Sequence, residues 1–142
     1  MLVKIYLFAN KKKYLAVLVA DNNQKSIKKI KAKSKNSIMF NMLTAAIKAI
    51  ESLKFPVDLQ VISPRNSFKQ LPEITKNIPD QDYVKENFEL WEHLERLISR
   101  HNSYKASKQT DSYNLRVEYQ KIYNSTFKLN ENENHKNMNK LF

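Results

Sequence analysis

The sequence predicts an α/β fold with a mixed five-stranded sheet, in which an antiparallel three-strand meander is joined by parallel strands and flanked by helices. Three successive β-like segments open the chain, and short polar turns separate them. An amphipathic helical segment then leads into another short apolar strand. Strands joined by short turns pair antiparallel, whereas a strand reached through a crossover helix runs parallel. The 142 residues, 42% of them hydrophobic, fit one folded core.

The first three strands are marked by apolar runs. Leu2–Ala9 and Tyr14–Ala20 are rich in β-branched and aromatic residues, and a polar turn lies between them. Ser26–Ser34 alternates instead, with lysines on one face and Ile30 and Ala32 on the other. This alternation predicts a half-buried third strand.

The next segments show the helical period. Ser37 is the predicted N-cap of a helix over Ile38–Leu53, in which apolar residues recur every three or four positions until Pro56. A short strand, Val57–Ile62, follows, and a second long helix is predicted over Tyr83–Ser99. The side chains expected in the core from these two helices are Met42, Ala45, Ala49, Leu53, Trp91 and Leu94.

The last third of the chain carries weaker signals. Ser103–Thr110 is predicted as a short edge strand and Tyr113–Tyr123 as a helix. We therefore place one domain at residues 1–126. Residues 127–142, rich in Asn, Glu and Lys, are expected to be a polar and flexible tail.

Composition excludes several classes of site. Cysteine and glycine are both absent, which excludes disulfides, thiolate metal sites, glycine-rich phosphate loops and a Gly-x-Ser-x-Gly nucleophile turn. His93, His101 and His135 lack the spacing of a zinc helix. We expect no cofactor and no bound metal. No apolar run approaches the roughly 20 residues of a membrane span and no signal-peptide pattern is present, so we expect a cytoplasmic protein.

The formal charge of +11 is unevenly distributed. Residues 1–35 hold ten lysines against a single acid, Asp21. A concentrated positive face favours an anionic partner such as nucleic acid, although it can also be a solvated, solubilising surface. The candidate nucleic-acid-binding residues are Lys11, Lys12, Lys13, Lys29, Lys31, Lys33 and Lys35.

Four segments resemble the ribonuclease H family. Met42–Glu51 is similar to the family's first helix, where a catalytic Glu is followed by Leu, by Ala two residues on, and by an Ala-Leu-Glu run. Val61–Ser67 corresponds to the family's strand followed by Thr, Asp and Ser. Glu86–Trp91 resembles an Asn-x-Asp-Leu-Trp helix opening, and Asn114–Glu118 loosely matches Asn-Glu-x-Ala-Asp. The resemblance covers roughly residues 2–123.

The resemblance implies a lost metal site. The family cleaves the RNA strand of hybrids with two divalent metals held by four carboxylates. Phe8, Met42 and Pro64 occupy three of the four positions, and only Glu118 supplies an acid. A one-residue shift would place Asn41 at the helix position without restoring an acid there. We expect Phe8, Met42 and Pro64 to fill the site with apolar volume, giving a pseudo-nuclease that is not an enzyme.

Three functions remain after these exclusions. The first is a non-catalytic ribonuclease H-like protein whose lysine-rich face binds RNA or DNA backbone regardless of sequence, as an accessory part of a nucleoprotein complex. The second is a protein-interaction module, such as a virus- or mobile-element-encoded inhibitor docking on a partner enzyme. The third is an enzyme with rebuilt chemistry. We do not expect the protein to bind a membrane.

Overall fold

A computed structural model of the chain describes residues 1–20, 27–71 and 86–128, and within them the elements follow one another in the predicted order. The strands are β1 Leu2–Ala9, β2 Lys13–Ala20, β3 Ile27–Lys33, β4 Asp58–Ser63 and β5 Ser103–Lys108. The α-helices are α1 Ile38–Glu51, α2 Phe88–Ile98 and α3 Tyr113–Ser125, and a short 3-10 helix spans Ser67–Gln70.

The five strands form one mixed sheet in the order β3-β2-β1-β4-β5. The pairs β1–β2 and β2–β3 are antiparallel, and the pairs β1–β4 and β4–β5 are parallel. The predicted fold class is therefore confirmed. The crossover through α1 places β4 beside β1, so the carboxyl ends of β1 and β4 meet at one edge of the sheet.

The first helix begins and ends where local chemistry requires it. The Ser37 hydroxyl accepts a hydrogen bond from the Phe40 backbone N–H at 3.1 Å, as expected for an N-cap. The helix ends at Glu51, because the backbone N–H of Ser52 turns back to the carbonyl of Ala49 at 3.2 Å. It therefore stops two residues before the predicted end at Leu53.

The main core lies between one face of the sheet and the helices α1 and α2. Side chains alternate along β1, so Val3, Ile5 and Leu7 point into this core. Trp91 is fully buried and packs on Phe68, with ring centroids 5.4 Å apart. Five of the six predicted core residues of the helices are at most 1% exposed: Met42, Ala45, Ala49, Trp91 and Leu94. The sixth, Leu53, follows the end of α1 and is half-buried.

The opposite face of the sheet also carries large buried side chains. Tyr6 and Phe8 alternate with the β1 residues that face α1, and their partners in register on β2 are Val17 and Leu15. All four are at most 2% exposed, and Ile62 on β4 is fully buried in the same way. The sheet is therefore apolar on both faces around its centre.

The chain divides into two compact units, Met1–Lys108 with the whole sheet and Gln109–Phe142 with α3. In the second unit, the Ser112 hydroxyl caps α3 by accepting from the Leu115 N–H at 3.1 Å. Of the predicted tail, 127–142, only Phe127 and Lys128 are described, and Phe127 is buried beside the Tyr123 ring. The predicted start of the second long helix at Tyr83 lies outside the described residues. No helix in the described part of the chain is long and apolar enough to cross a membrane.

Candidate nucleic-acid interface

Strand β3 carries a row of lysines on an edge of the sheet. Lys29, Lys31 and Lys33 are exposed and share one face of the strand, while Ile30 and Ala32 turn toward the core beside α1. Alternate residues on a strand lie about 7 Å apart, so the three ammonium groups line one surface. The alternation in the sequence predicted this arrangement.

The turn between β1 and β2 adds further lysines at the end of that row. The Asn10 side-chain Oδ1 accepts from the backbone N–H groups of Lys12 and Lys13, at 2.8 and 2.9 Å. These two hydrogen bonds stabilise the tight turn without a glycine. Lys11 and Lys12 are exposed at its tip. Lys13 pairs with Lys33 in register, so the turn and the β3 row are continuous.

The segment after β3 docks on this turn. The Ser34 N–H donates to the Lys12 carbonyl at 2.8 Å, and the Asn36 N–H donates to the Lys11 carbonyl at 3.3 Å. Lys35 lies between these two contacts and is exposed. The structure thus gathers five of the seven predicted lysines at one corner of the sheet, the lysine corner: Lys11, Lys12, Lys13, Lys33 and Lys35. The other two, Lys29 and Lys31, extend along the β3 edge.

Asn41, a buried residue on α1, hydrogen-bonds to the two segments that form this corner. Its Nδ2 donates to the carbonyls of Asn10 and Ser34, both at 2.8 Å, and the side chain is fully buried. Its Oδ1 has no hydrogen-bond partner within the described residues. This role of Asn41 was not predicted, although a polar residue inside the apolar stripe of a helix indicates a buried hydrogen bond.

The described residues of the first three strands and of α1 up to residue 50 include no Asp or Glu. Asp58, on β4, accepts from the Ser103 hydroxyl at 2.7 Å and lies 3.9 Å from the Met1 ammonium. None of the described acids forms an ion pair with Lys29 or Lys31. Among the described residues, the charges of Lys29 and Lys31 are therefore not offset by an ion pair.

The positions that the sequence resemblance assigns to nuclease carboxylates lie on β1, on α1 and after β4, and Phe8 shares a sheet face with the lysine row, because its register partner Leu15 is itself paired with Lys31. Phe8 is near the carboxyl end of β1 and Pro64 directly follows β4, so both lie at the same edge of the sheet. Met42 is 1% exposed and belongs to the core beneath α1. The expected packing of Phe8 on Met42 is wrong, because strand alternation sends Leu7 into that core and Phe8 to the opposite face.

The residues at these positions do not fit a pair of divalent metals. Phe8, Met42 and Pro64 offer no oxygen ligand, and Mg²⁺ requires oxygen ligands. The turn at Pro64 is closed by Ser63, whose hydroxyl donates to the Arg65 carbonyl at 2.9 Å. Glu118 lies half-buried on α3 in the second unit. Among residues 1–20, 27–71 and 86–128, no three His, Asp or Glu side chains form a group that could hold a metal ion.

Comparison with known proteins identifies the fold. No family model and no curated protein matches the sequence. Among solved structures, the ribonuclease H1 of Halobacterium salinarum is similar at a TM-score of 0.61 and 11% identity, over 76% of this chain and 85% of that one. LC9-RNase H1, a type 1 enzyme with the type 2 active-site motif, is similar at 0.60 and 8% identity, over 85% and 69%.

A third structure agrees with these two. The N-terminal RNase H domain of a Mycobacterium tuberculosis protein is similar at a TM-score of 0.50 and 12% identity, over 75% of this chain and 81% of that one. Identities this low establish the fold and nothing finer. The chain therefore has a ribonuclease H-like fold, as its sequence predicts.

Proposed function

We propose that this chain uses its ribonuclease H-like fold to bind the phosphate backbone of RNA or DNA, without sequence preference and without cleaving it. One observation carries the proposal. Lys29, Lys31 and Lys33 form an exposed row that continues into the turn lysines, and no described acid forms an ion pair with any of these three. Each phosphate that such a row neutralises releases counterions, which drives binding irrespective of base sequence.

The side chains of the row favour contact with the nucleic-acid backbone over recognition of individual bases. The lysines stand on a sheet edge, and ammonium groups on flexible stems neutralise phosphates as point charges. The β3 row carries no Arg, Asn or Gln, which are the side chains that pair with two atoms of a base edge. We therefore expect similar affinities for different sequences of equal length and strandedness.

The absence of cleavage is part of the same proposal. Two hard cations need several carboxylates to hold them, and the sequence resemblance assigns three of the four positions to Phe8, Met42 and Pro64. We propose that the chain retained the fold as a binding scaffold. It would act as an accessory component of a cytoplasmic nucleoprotein complex.

A triple charge reversal tests the lysine row. Lysines on an edge strand also prevent sheets from pairing edge to edge, and glutamates would serve that purpose equally well. The Lys29→Glu, Lys31→Glu and Lys33→Glu variant should therefore fold and stay soluble while losing nucleic-acid binding. Fluorescence anisotropy at physiological salt, with a labelled RNA–DNA hybrid, a DNA duplex and a single-stranded RNA, measures the loss.

A matched variant separates this row from net charge. Lys48, Lys105 and Lys121 are exposed lysines on α1, β5 and α3, and reversing all three changes the net charge by the same amount. This control should bind nearly as well as the unaltered chain. Equal losses in both triple variants, or no binding by the unaltered chain at physiological salt, would refute the proposal.

A further inference from the structure

A second surface lies at the other end of the sheet from the lysine corner. The turn between α1 and β4 carries Phe55, a large apolar side chain that is 56% exposed. This turn follows the carboxyl end of α1, whereas Asn41 ties the amino-terminal part of the same helix to the lysine corner. A 14-residue helix is about 21 Å long, so the two surfaces are well separated.

Two clefts flank Phe55. One has a volume of about 380 Å³ and is largely polar, and the other has a volume of about 170 Å³ and is almost entirely apolar. Both share Leu53 and Lys54 with Phe55 as their common wall. The polar cleft is further lined by Glu51, His93, Arg100 and His101, and the apolar cleft by Met1, Val3, Leu18, Lys28 and Val57.

Hydrogen bonds hold the base of this surface in place. The Val57 N–H donates to Nδ1 of His101 at 3.1 Å, and the Val57 carbonyl accepts from the Asn102 N–H at 3.0 Å. On the other side, the Asp58 N–H donates to the Met1 carbonyl at 2.8 Å. The walls of both clefts are thus fixed to each other before any partner binds, which lowers the entropic cost of binding.

The charge around the clefts is positive. Lys28, Lys54 and Arg100 line them against a single acid, Glu51. His101 adds a neutral donor, because a ring whose Nδ1 accepts a hydrogen bond carries its proton on Nε2. A ligand that fits both clefts therefore has apolar side chains and acidic groups close together.

We propose that Phe55 and its two flanking clefts bind an acidic, apolar-rich segment of a partner protein. Such a segment can fill the apolar cleft with a Leu or aromatic side chain and place carboxylates beside Lys54 and Arg100. A nucleic acid offers the apolar cleft at most a thymine methyl group and no larger aliphatic side chain. A second copy of this chain would bring Lys54 and Arg100 against like charges in a two-fold contact.

Peptide selection against the intact chain tests this surface. The bait is the Lys29→Glu, Lys31→Glu and Lys33→Glu variant, in which the lysine row cannot attract acidic peptides. A displayed library of random peptides should yield binders in which Asp or Glu alternates with Leu, Phe, Tyr or Trp. Because the bait lacks Lys29, Lys31 and Lys33 and keeps the cleft residue Lys28, its success or failure is separate from that of the nucleic-acid proposal.

Point variants then place the binding site. Phe55→Ser should weaken the selected peptide roughly tenfold or more, and the Lys54→Glu, Arg100→Glu pair should do the same. Tyr113→Ser removes an aromatic side chain that is 78% exposed and lines neither cleft, and it should leave affinity unchanged. Because Phe55 is exposed, its replacement should not lower the melting temperature appreciably.

Several outcomes would overturn the proposal. Selected peptides that are basic, or that lack apolar residues, would contradict the chemistry of the clefts. Affinity that survives Phe55→Ser would place the site elsewhere. Self-association or vesicle binding that Phe55→Ser removes, with no peptide selected, would assign the surface to a second copy of this chain or to a membrane.

Discussion

The side-chain Nδ2 of Asn41 donates a 2.8 Å hydrogen bond to the backbone carbonyl of Asn10, which lies 31 positions earlier in the chain. A second bond of the same length joins Asn41 to the carbonyl of Ser34. Together they attach the β1–β2 turn and the segment after β3 to α1. The geometry of the lysine corner thus depends on one buried amide.

Replacing Asn41 by Asp should destabilise the protein. A carboxylate at this buried position faces two carbonyl oxygens and can donate to neither, so we expect a loss of about 2–4 kcal/mol in unfolding free energy. Chemical denaturation at neutral pH measures it. Asn36→Asp, the same change at an exposed asparagine, should cost less than about 0.5 kcal/mol. Similar losses for the two would show that the Asn41 bonds contribute little.

Trp91 should dominate the stability of the helix–sheet core. It is fully buried against Phe68, so Trp91→Ala should cost about 3–5 kcal/mol through lost contacts and a cavity. Trp91→Phe should cost less, since it keeps a ring beside Phe68 and removes an indole N–H that has no partner in the described part of the chain. Thermal unfolding compares the two variants. An Ala variant as stable as the Phe variant would contradict this packing.

Stability should fall in mildly acidic solution because of His101. Burial lowers the pKa of His101 below its ordinary value of 6.5, so the folded state binds fewer protons than the unfolded state. The stabilisation is complete above pH 6.5 and is lost as the pH falls through 6.5 toward the folded pKa. Protonation also removes the Nδ1 acceptor that the Val57 N–H uses.

Denaturation curves across this pH range test the assignment. His101→Gln should reduce the slope of unfolding free energy against pH by the contribution of one titrating group. The unaltered chain, measured over the same pH range, is the control. A His101→Gln variant with an unchanged slope would assign the dependence to another group.

The chain should release no product from an RNA–DNA hybrid with Mg²⁺ or Mn²⁺. The sequence resemblance assigns three of the four carboxylate positions to Phe8, Met42 and Pro64, which supply no carboxylate. A labelled hybrid resolved on a denaturing gel, with an active ribonuclease H1 as the positive control, measures cleavage. Metal-dependent cleavage that Glu118→Gln abolishes would show that the carboxylates were placed incorrectly.

Removing one lysine from the β3 row should change the salt dependence of binding by a fixed amount. For duplex DNA, Lys31→Ala should reduce the slope of log affinity against log salt by about 0.9, equally for all sequences. Lys48→Ala should leave the slope unchanged. A loss confined to particular sequences would indicate base contacts.

Local pattern was sufficient to predict the elements of this fold. The apolar run of β1 predicted its bounds at Leu2 and Ala9, and the Ser37 cap predicted the start of α1. Element order then fixed the sheet, because short turns give antiparallel pairs and a crossover helix gives a parallel one. The expected Phe8–Met42 contact failed, because resemblance to a family places residues along the chain without fixing the sheet face that each side chain meets.

The features that sequence did not predict depend on contacts between distant segments. The partners of Asn41 are separated from it by 31 and 7 positions, and no periodicity encodes such a bond. The clefts beside Phe55 combine the start of β1, the turn after α1 and the end of α2. In the sequence, Phe55 is simply an apolar residue before Pro56.

Helix α1 connects the two proposed surfaces without a glycine or proline in its length, so the chain has no hinge between them. A partner held at Phe55 and a nucleic acid held at the lysine corner would keep a fixed separation. Occupation of one surface would then raise the local concentration of a tethered second ligand, and avidity would arise from geometry alone. Two individually weak affinities would suffice for a long-lived ternary assembly.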